Sequence, residues 1–159
     1  SLNNNSIGIE ISNKGHQFGY ENFSKKQIKS LIELSKLLIN KYKINKTNIL
    51  GHSDIAVDRK KDPGEKFPWE YLAKNKIGVW HKISNKILKK KRLKNISKIE
   101  EYEFYNLLFK IGYFLKIKNK SNLKKLIMSF QRHFRQNLIN GKIDQECLFI
   151  AKKISKLCR

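Results

Sequence analysis

The stretch GHSDIAVDRKKDPG, residues 51–64, contains one histidine, three aspartates and three basic residues, and it closes with a Pro-Gly pair. Neutral imidazole and carboxylate are both zinc ligands, and a catalytic zinc holds three protein ligands and leaves one position for water. His52 and Asp62 are separated by enough chain for the loop to fold back and bring them together. A histidine and an aspartate in one loop are also common without any metal, so spacing alone favours two unrelated polar side chains. Asp54 and Asp58 are predicted to cap turns.

The segments around this loop predict an alternation of strands and helices. The β-branched run 7–11 predicts a strand, and the S-x-x-Q pattern at 24–27 matches a capping box that opens a helix. A second short strand is predicted over 48–51, and the loop leaves its end. Residues 67–74 predict a further helix with its proline near the first turn. Strand, helix, strand, loop and helix in this order predict the α/β class.

The composition changes in the second half of the chain. Residues 82–98 are rich in lysine with scattered isoleucine and leucine, and we interpret them as a basic linker. Beyond the linker, apolar residues recur at helical spacing in three runs, and Asp144 is predicted to cap the third helix. The sequence therefore predicts an α/β domain over 1–81 and a small three-helix domain over 99–159.

The chain carries a large excess of positive charge. Its 159 residues include 35 Lys+Arg and 13 Asp+Glu, which gives a formal net charge of +22. Such a charge attracts polyanions, including nucleic acid, anionic membrane and acidic wall polymers. The lysines are spread over the whole length among many isoleucines and asparagines, and A/T-rich codon usage explains that composition equally well. Because no nucleic-acid-binding motif and no concentrated basic face is present, we expect no specific nucleic-acid partner.

Membrane insertion and cysteine chemistry find no support in the sequence. No apolar run approaches the roughly 18 residues of a membrane span, so no transmembrane segment is predicted. Cys147 and Cys158 form neither a metal-binding spacing nor a disulfide framework. We expect a monomer.

Four blocks before residue 80 occur in the order of a known family. The blocks are SIGIE (6–10), GHSDIA (51–56), RKKDPG (59–64) and FPW (67–69). Together they resemble the zinc-dependent N-acetylmuramoyl-L-alanine amidases of the type 2 amidase family, which are related to peptidoglycan recognition proteins. Three later blocks are IGY (111–113), FQR (130–132) and NGKID (140–144). They resemble the three-helix peptidoglycan-binding module that such amidases carry.

This resemblance implies a fold and a set of roles. The fold is a mixed central sheet flanked by helices, with the N-terminal part of the domain upstream of this sequence. The cofactor is Zn²⁺, with His52 and Asp62 as two of three ligands, Glu10 facing the metal-bound water and Lys60 beside the metal. Amide hydrolysis needs these parts, because it requires a nucleophile at neutral pH, a base for its proton and positive charge for the oxyanion.

The third ligand implied by the resemblance is a histidine on an earlier strand, upstream of this sequence. His16, His81 and His133 stand at positions that the family does not use for the metal. With two ligands, the chain as given is expected to bind zinc weakly and to lack activity.

Two functional hypotheses follow from the resemblance. The first is an enzyme that hydrolyses the amide bond between N-acetylmuramic acid and L-alanine in peptidoglycan or muropeptides. The alternative is a non-catalytic peptidoglycan recognition protein with an incomplete zinc site. Glu10 and Lys60 favour the enzyme, since a protein that only binds has no need of them. Either function places the protein in a bacterial cell envelope, in the periplasm or associated with the outer membrane.

Overall fold

Helices make up the regular secondary structure of the described chain. A computed structural model describes residues 2–114 and 119–158. Two short 3-10 helices lie at Leu2–Asn5 and Lys46–Asn48. The α-helices are α1 (Lys25–Tyr42), α2 (His52–Ile55), α3 (Trp69–Lys74), α4 (Asn85–Arg92), α5 (Lys98–Ile111), α6 (Lys120–Phe134) and α7 (Gln145–Ser155).

The predicted α/β class with a mixed central sheet is wrong for this chain. Residues 2–114 and 119–158 contain no strand. A strand requires a neighbouring strand to pair its N–H and C=O groups, and within this part of the chain neither predicted strand has one. Residues 7–11 are irregular, with Ile7 and Ile9 49% and 39% exposed. In the other segment, the 3-10 helix ends at Asn48 and Ile49 follows with extended backbone.

The start of α1 is confirmed as predicted. The Ser24 hydroxyl accepts a hydrogen bond from the Gln27 N–H, and the Gln27 side chain accepts one from the Ser24 N–H, at 3.2 and 2.9 Å. These two bonds satisfy donors that an α-helix otherwise leaves free at its first turn. The buried face of α1, formed by Ile28, Leu31 and Ile32, then packs against the segment that follows the 51–64 loop.

Two hydrophobic cores organise the chain. The smaller core joins α1 to α3 and contains Ile28, Leu31, Ile32, Phe67, Trp69, Leu72 and Ile77. The larger core joins α4, α5, α6 and α7, and its fully buried side chains are Phe104, Phe130, Cys147, Ile150, Ala151 and Ile154. Trp80 packs against both cores and so connects them.

The segment predicted as a basic linker contains α4. Leu88 of this helix is buried in the larger core, and Arg92 donates to Glu146 of α7 through Nε and Nη2 at 2.5 and 2.8 Å. The division into 1–81, 82–98 and 99–159 stays a prediction. The predicted cap of the last helix is confirmed, because Asp144 accepts a hydrogen bond from the Cys147 N–H.

Among the described residues, every helix is either too short or too polar to span a bilayer.

Candidate active site

The 51–64 loop folds back on itself around one short helix. Gly51 precedes α2, and its N–H donates to the Asp54 carboxylate at 2.7 Å. The Ser53 N–H donates to the Asp62 carbonyl at 2.8 Å, which ties the end of the loop to its beginning. The two ends of the loop are therefore held together by backbone as well as by side chains.

This closure brings His52 and Asp62 into contact. Nδ1 of His52 lies 3.0 Å from Oδ2 of Asp62, and the two side chains are 41% and 58% exposed. Atoms bound to a tetrahedral zinc at about 2.0–2.1 Å lie roughly 3.3 Å from one another. The pair therefore fits two adjacent positions of a zinc site, with its remaining side open to solvent. In residues 2–114 and 119–158, no group of three His, Cys, Asp or Glu side chains could hold a metal ion.

The other two predicted site residues are Glu10 and Lys60. Glu10 is exposed on the irregular N-terminal segment, and Lys60 is partly buried after α2. The Lys60 N–H donates to the Ala56 carbonyl at 2.9 Å, so its backbone position is fixed by the loop. Within the described chain, neither side chain is hydrogen-bonded to His52 or Asp62. The predicted roles of all four residues stay predictions.

Asp54 does more than cap the turn. Its side chain is buried, and its Oδ1 accepts from the Tyr113 hydroxyl at 2.5 Å. Its Oδ2 accepts from the Gly51 N–H and lies 2.8 Å from His133 Nδ1. Burial, followed by the charge and hydrogen bond of Asp54, raises the pKa of Tyr113 well above its ordinary value. Tyr113 therefore stays protonated and donates to Asp54 at all ordinary pH values.

His133, which contacts the Asp54 carboxylate, is also buried and is packed on both faces of its ring. It is 2% exposed, and its ring stacks between Trp69 and Phe134 with centroid distances of 3.9 Å to each. One turn earlier on α6, the Ser129 hydroxyl donates to the Ser53 carbonyl. Helix α6 therefore contacts α2 at Ser53 and at Asp54. His52 lies in the chain between Gly51 and these two residues.

This network is not predictable from the sequence. Nothing next to His133 or Tyr113 in the chain indicates that both contact Asp54. Their shared partner is Asp54, which lies 79 positions before His133 and 59 before Tyr113. No local pattern links residues so far apart. The only available signal was the position of Asp54 in the first turn of α2, where a carboxylate accepts backbone N–H groups.

Comparison with known proteins bears on this loop directly. Residues 1–65 match the family model described as N-acetylmuramoyl-L-alanine amidase. The matched segment contains Glu10, His52, Lys60 and Asp62. The predicted similarity to these amidases is confirmed over residues 1–65.

Individual relatives extend the similarity beyond residue 65. N-acetylmuramoyl-L-alanine amidase AmiD of Escherichia coli (strain K12) is 36% identical over 159 residues, which is 96% of this chain and 58% of the relative. The 1,6-anhydro-N-acetylmuramyl-L-alanine amidase AmpD of Haemophilus influenzae is 42% identical over 73 residues, or 45% of this chain and 38% of the relative. The chain therefore spans less than two thirds of either relative.

A solved structure shows the same similarity in three dimensions. It is the complex of Escherichia coli AmiD with the substrate anhydro-N-acetylmuramic acid-L-Ala-D-γ-Glu-L-Lys. Its TM-score is 0.75 with 33% identity, covering 87% of this chain and 54% of that chain.

Proposed function

We propose that this chain is part of an amidase that hydrolyses the bond between N-acetylmuramic acid and L-alanine in peptidoglycan or muropeptides. The observation that carries the proposal is the contact between His52 and Asp62, at 3.0 Å, inside the segment that matches the amidase family. The relatives support the same reaction, since AmiD and AmpD are named for it. One of them is solved with a muropeptide substrate.

We propose Zn²⁺ as the cofactor, held in this chain by His52 and Asp62. When bound, zinc would provide an activated water near neutral pH and Lewis-acid polarisation of the substrate carbonyl. Glu10 takes the proton from the attacking water and passes it to the leaving amine, as a general base and then a general acid. Lys60 provides positive charge where the carbonyl oxygen becomes an oxyanion. The hydrogen bond that closes the loop and the contacts of Asp54 keep His52 and Asp62 in position for the steps that we assign to Glu10 and Lys60.

The C-terminal helices support a second part of the proposal. We propose that residues 99–159 act as a peptidoglycan-binding module and that the protein works in a bacterial cell envelope, where its substrate lies. The similarity to AmiD over 96% of the chain supports a shared role for these helices.

One observation favours the alternative, a recognition protein without catalysis. The described residues hold two candidate zinc ligands rather than the three that a catalytic zinc site uses. A recognition protein would bind the muropeptide and leave it intact.

Hydrolysis of a muramyl peptide distinguishes the amidase from the recognition protein. We expect the zinc-loaded full-length protein to release L-Ala-γ-D-Glu-L-Lys from N-acetylmuramoyl-L-Ala-γ-D-Glu-L-Lys, measured by chromatography. A zinc chelator should stop the release and added zinc should restore it. Binding of the muramyl peptide without any chelator-sensitive release would instead establish the recognition protein.

Replacing His52 with alanine should weaken zinc binding by about 100-fold or more, since loss of a direct ligand exceeds the 10–100-fold cost of losing an outer partner. The measurement is zinc titration against a fluorescent chelator of known affinity. His16→Ala is the matched control, because His16 also contacts a carboxylate, that of Glu65, at 3.1 Å. Equal zinc affinity in His52→Ala and wild type would remove His52 from the site.

A further inference from the structure

A cavity of about 300 Å³ lies directly beside the 51–64 loop. Lys61, which stands between Lys60 and Asp62, lines it together with His16 and Glu65. Met128 and Arg132 of α6, and Gln136 just beyond it, also line the cavity. The cavity has the size of the smaller small-molecule sites, which run from roughly 300 to 1,000 Å³.

Arg132 is the unusual residue of this cavity. The residue as a whole is 8% exposed, and among the described residues its guanidinium makes no ion pair. The guanidinium nitrogens are not among the fully buried groups that lack a partner, so they remain accessible from the cavity that Arg132 lines. By contrast, the buried Arg135 is paired with Asp144 and Glu146, and Arg92 is paired with Glu146. An accessible guanidinium without a carboxylate partner is free to bind an anionic ligand that enters the cavity.

Glu65 does not form an ion pair with Arg132. Its carboxylate is hydrogen-bonded to Nε2 of His16 at 3.1 Å and lies near Arg132 without pairing with it. Burial lowers the pKa of Arg132 and the charge of Glu65 opposes this effect, but an arginine stays charged throughout the ordinary pH range. With Lys61 and Arg132 positive and Glu65 negative, the lining keeps a net positive charge for a ligand.

The chemistry of the cavity suits a carboxylate with apolar surroundings. A guanidinium binds a carboxylate through two parallel N–H···O bonds, which a lysine cannot reproduce. Met128 and Ile139 supply an apolar wall next to Arg132. A glutamate linked through its γ-carboxyl group keeps its α-carboxylate free, one residue beyond the alanine whose amide bond lies at the reacting centre.

We propose that this cavity binds the free α-carboxylate of the γ-linked D-glutamate in the stem peptide, with Arg132 as the residue that receives it. The proposal rests on the proposed function, because it takes the stem peptide as the ligand. It makes Arg132 a specificity-determining residue, and it gives α6 a direct contact with the substrate.

The test measures binding without hydrolysis. The 159-residue chain, kept metal-free with a chelator at physiological salt, is titrated by calorimetry with N-acetylmuramoyl-L-Ala-γ-D-Glu-L-Lys and with the same compound carrying the glutamate α-carboxylate as an amide. Wild type should bind the acid about 10- to 100-fold more tightly, the usual worth of a hydrogen bond to a charged group. Arg132→Met should bind acid and amide equally.

Two further variants keep the result interpretable. Lys120→Met removes one exposed positive charge from the same helix, and it should leave the acid-to-amide ratio unchanged. Glu65→Gln removes the carboxylate that competes with the ligand for Arg132, so it should increase the ratio of acid affinity to amide affinity. This result does not depend on whether the Arg132 variant folds. Circular dichroism melting confirms that each variant is folded.

Three outcomes would overturn the inference. They are equal binding of acid and amide by wild type, an acid preference that survives in Arg132→Met, and inorganic phosphate binding as tightly as the acid. The proposed function is judged separately by hydrolysis of the same compound by the zinc-loaded full-length protein. If hydrolysis is absent while the Arg132-dependent acid preference is present, the proposed function fails and the carboxylate site stands.

Discussion

Asp54→Ala should lower the free energy of unfolding by about 3–5 kcal/mol, although Asp54 is neither a predicted ligand nor a predicted base. The substitution leaves the Tyr113 hydroxyl, the Gly51 N–H and His133 Nδ1 without their shared acceptor. Each buried polar group that loses its partner costs about 1–3 kcal/mol, and breaking a buried charged contact costs about 3–5 kcal/mol. The measurement is urea unfolding followed by tryptophan fluorescence, to which Trp69 contributes by stacking on His133.

Asp58 provides the matched control for this variant. It is an aspartate of the same loop, but its side chain is exposed. Asp58→Ala should change stability by no more than about 0.5 kcal/mol, as is usual for surface substitutions. If Asp54→Ala is as stable as Asp58→Ala, the buried network does not hold the loop to α6, and the rigidity of the site needs another source.

The network also explains why the two halves of the chain are more closely connected than the sequence indicates. Lysine-rich composition over 82–98 predicts a linker, because composition reports solvent-exposed charge. It does not report that Leu88 is buried or that Arg92 reaches Glu146. Likewise, the sequence places Tyr113 only in the IGY block and His133 only among histidines that the family does not use for the metal, while both side chains contact Asp54. Contacts between distant segments leave no periodic signal.

Local rules, by contrast, work where the interaction is local. The capping box at Ser24 and Gln27 and the cap at Asp144 are both found as predicted, because each joins residues three positions apart. The contact of His52 with Asp62 is only partly predictable from the sequence, because a loop of this length allows the contact without requiring it. The strand at 7–11 fails for the opposite reason. Its β-branched residues suit a pleated strand, but pairing depends on a partner that the local sequence cannot specify.

In the zinc-loaded full-length protein, Glu10→Ala should reduce turnover of the muramyl peptide by about 10²–10⁴, the usual contribution of a positioned general base. Zinc affinity should stay unchanged, because we assign Glu10 to the attacking water and not to the metal. Stability should also stay unchanged, since the Glu10 side chain is exposed. The measurement combines single-turnover hydrolysis with zinc titration on the same preparation, so that a loss of rate is not mistaken for a loss of metal.

Glu21 is the control carboxylate for this experiment. Like Glu10 it is an exposed glutamate before α1, so Glu21→Ala removes the same charge without touching the proposed mechanism. Its rate should equal that of wild type. A Glu10→Ala rate within about twofold of wild type would leave His52 and Asp62 as ligands and would exclude Glu10 as the base. A parallel fall in zinc affinity would instead move Glu10 from the water to the metal, where a carboxylate is an equally good ligand.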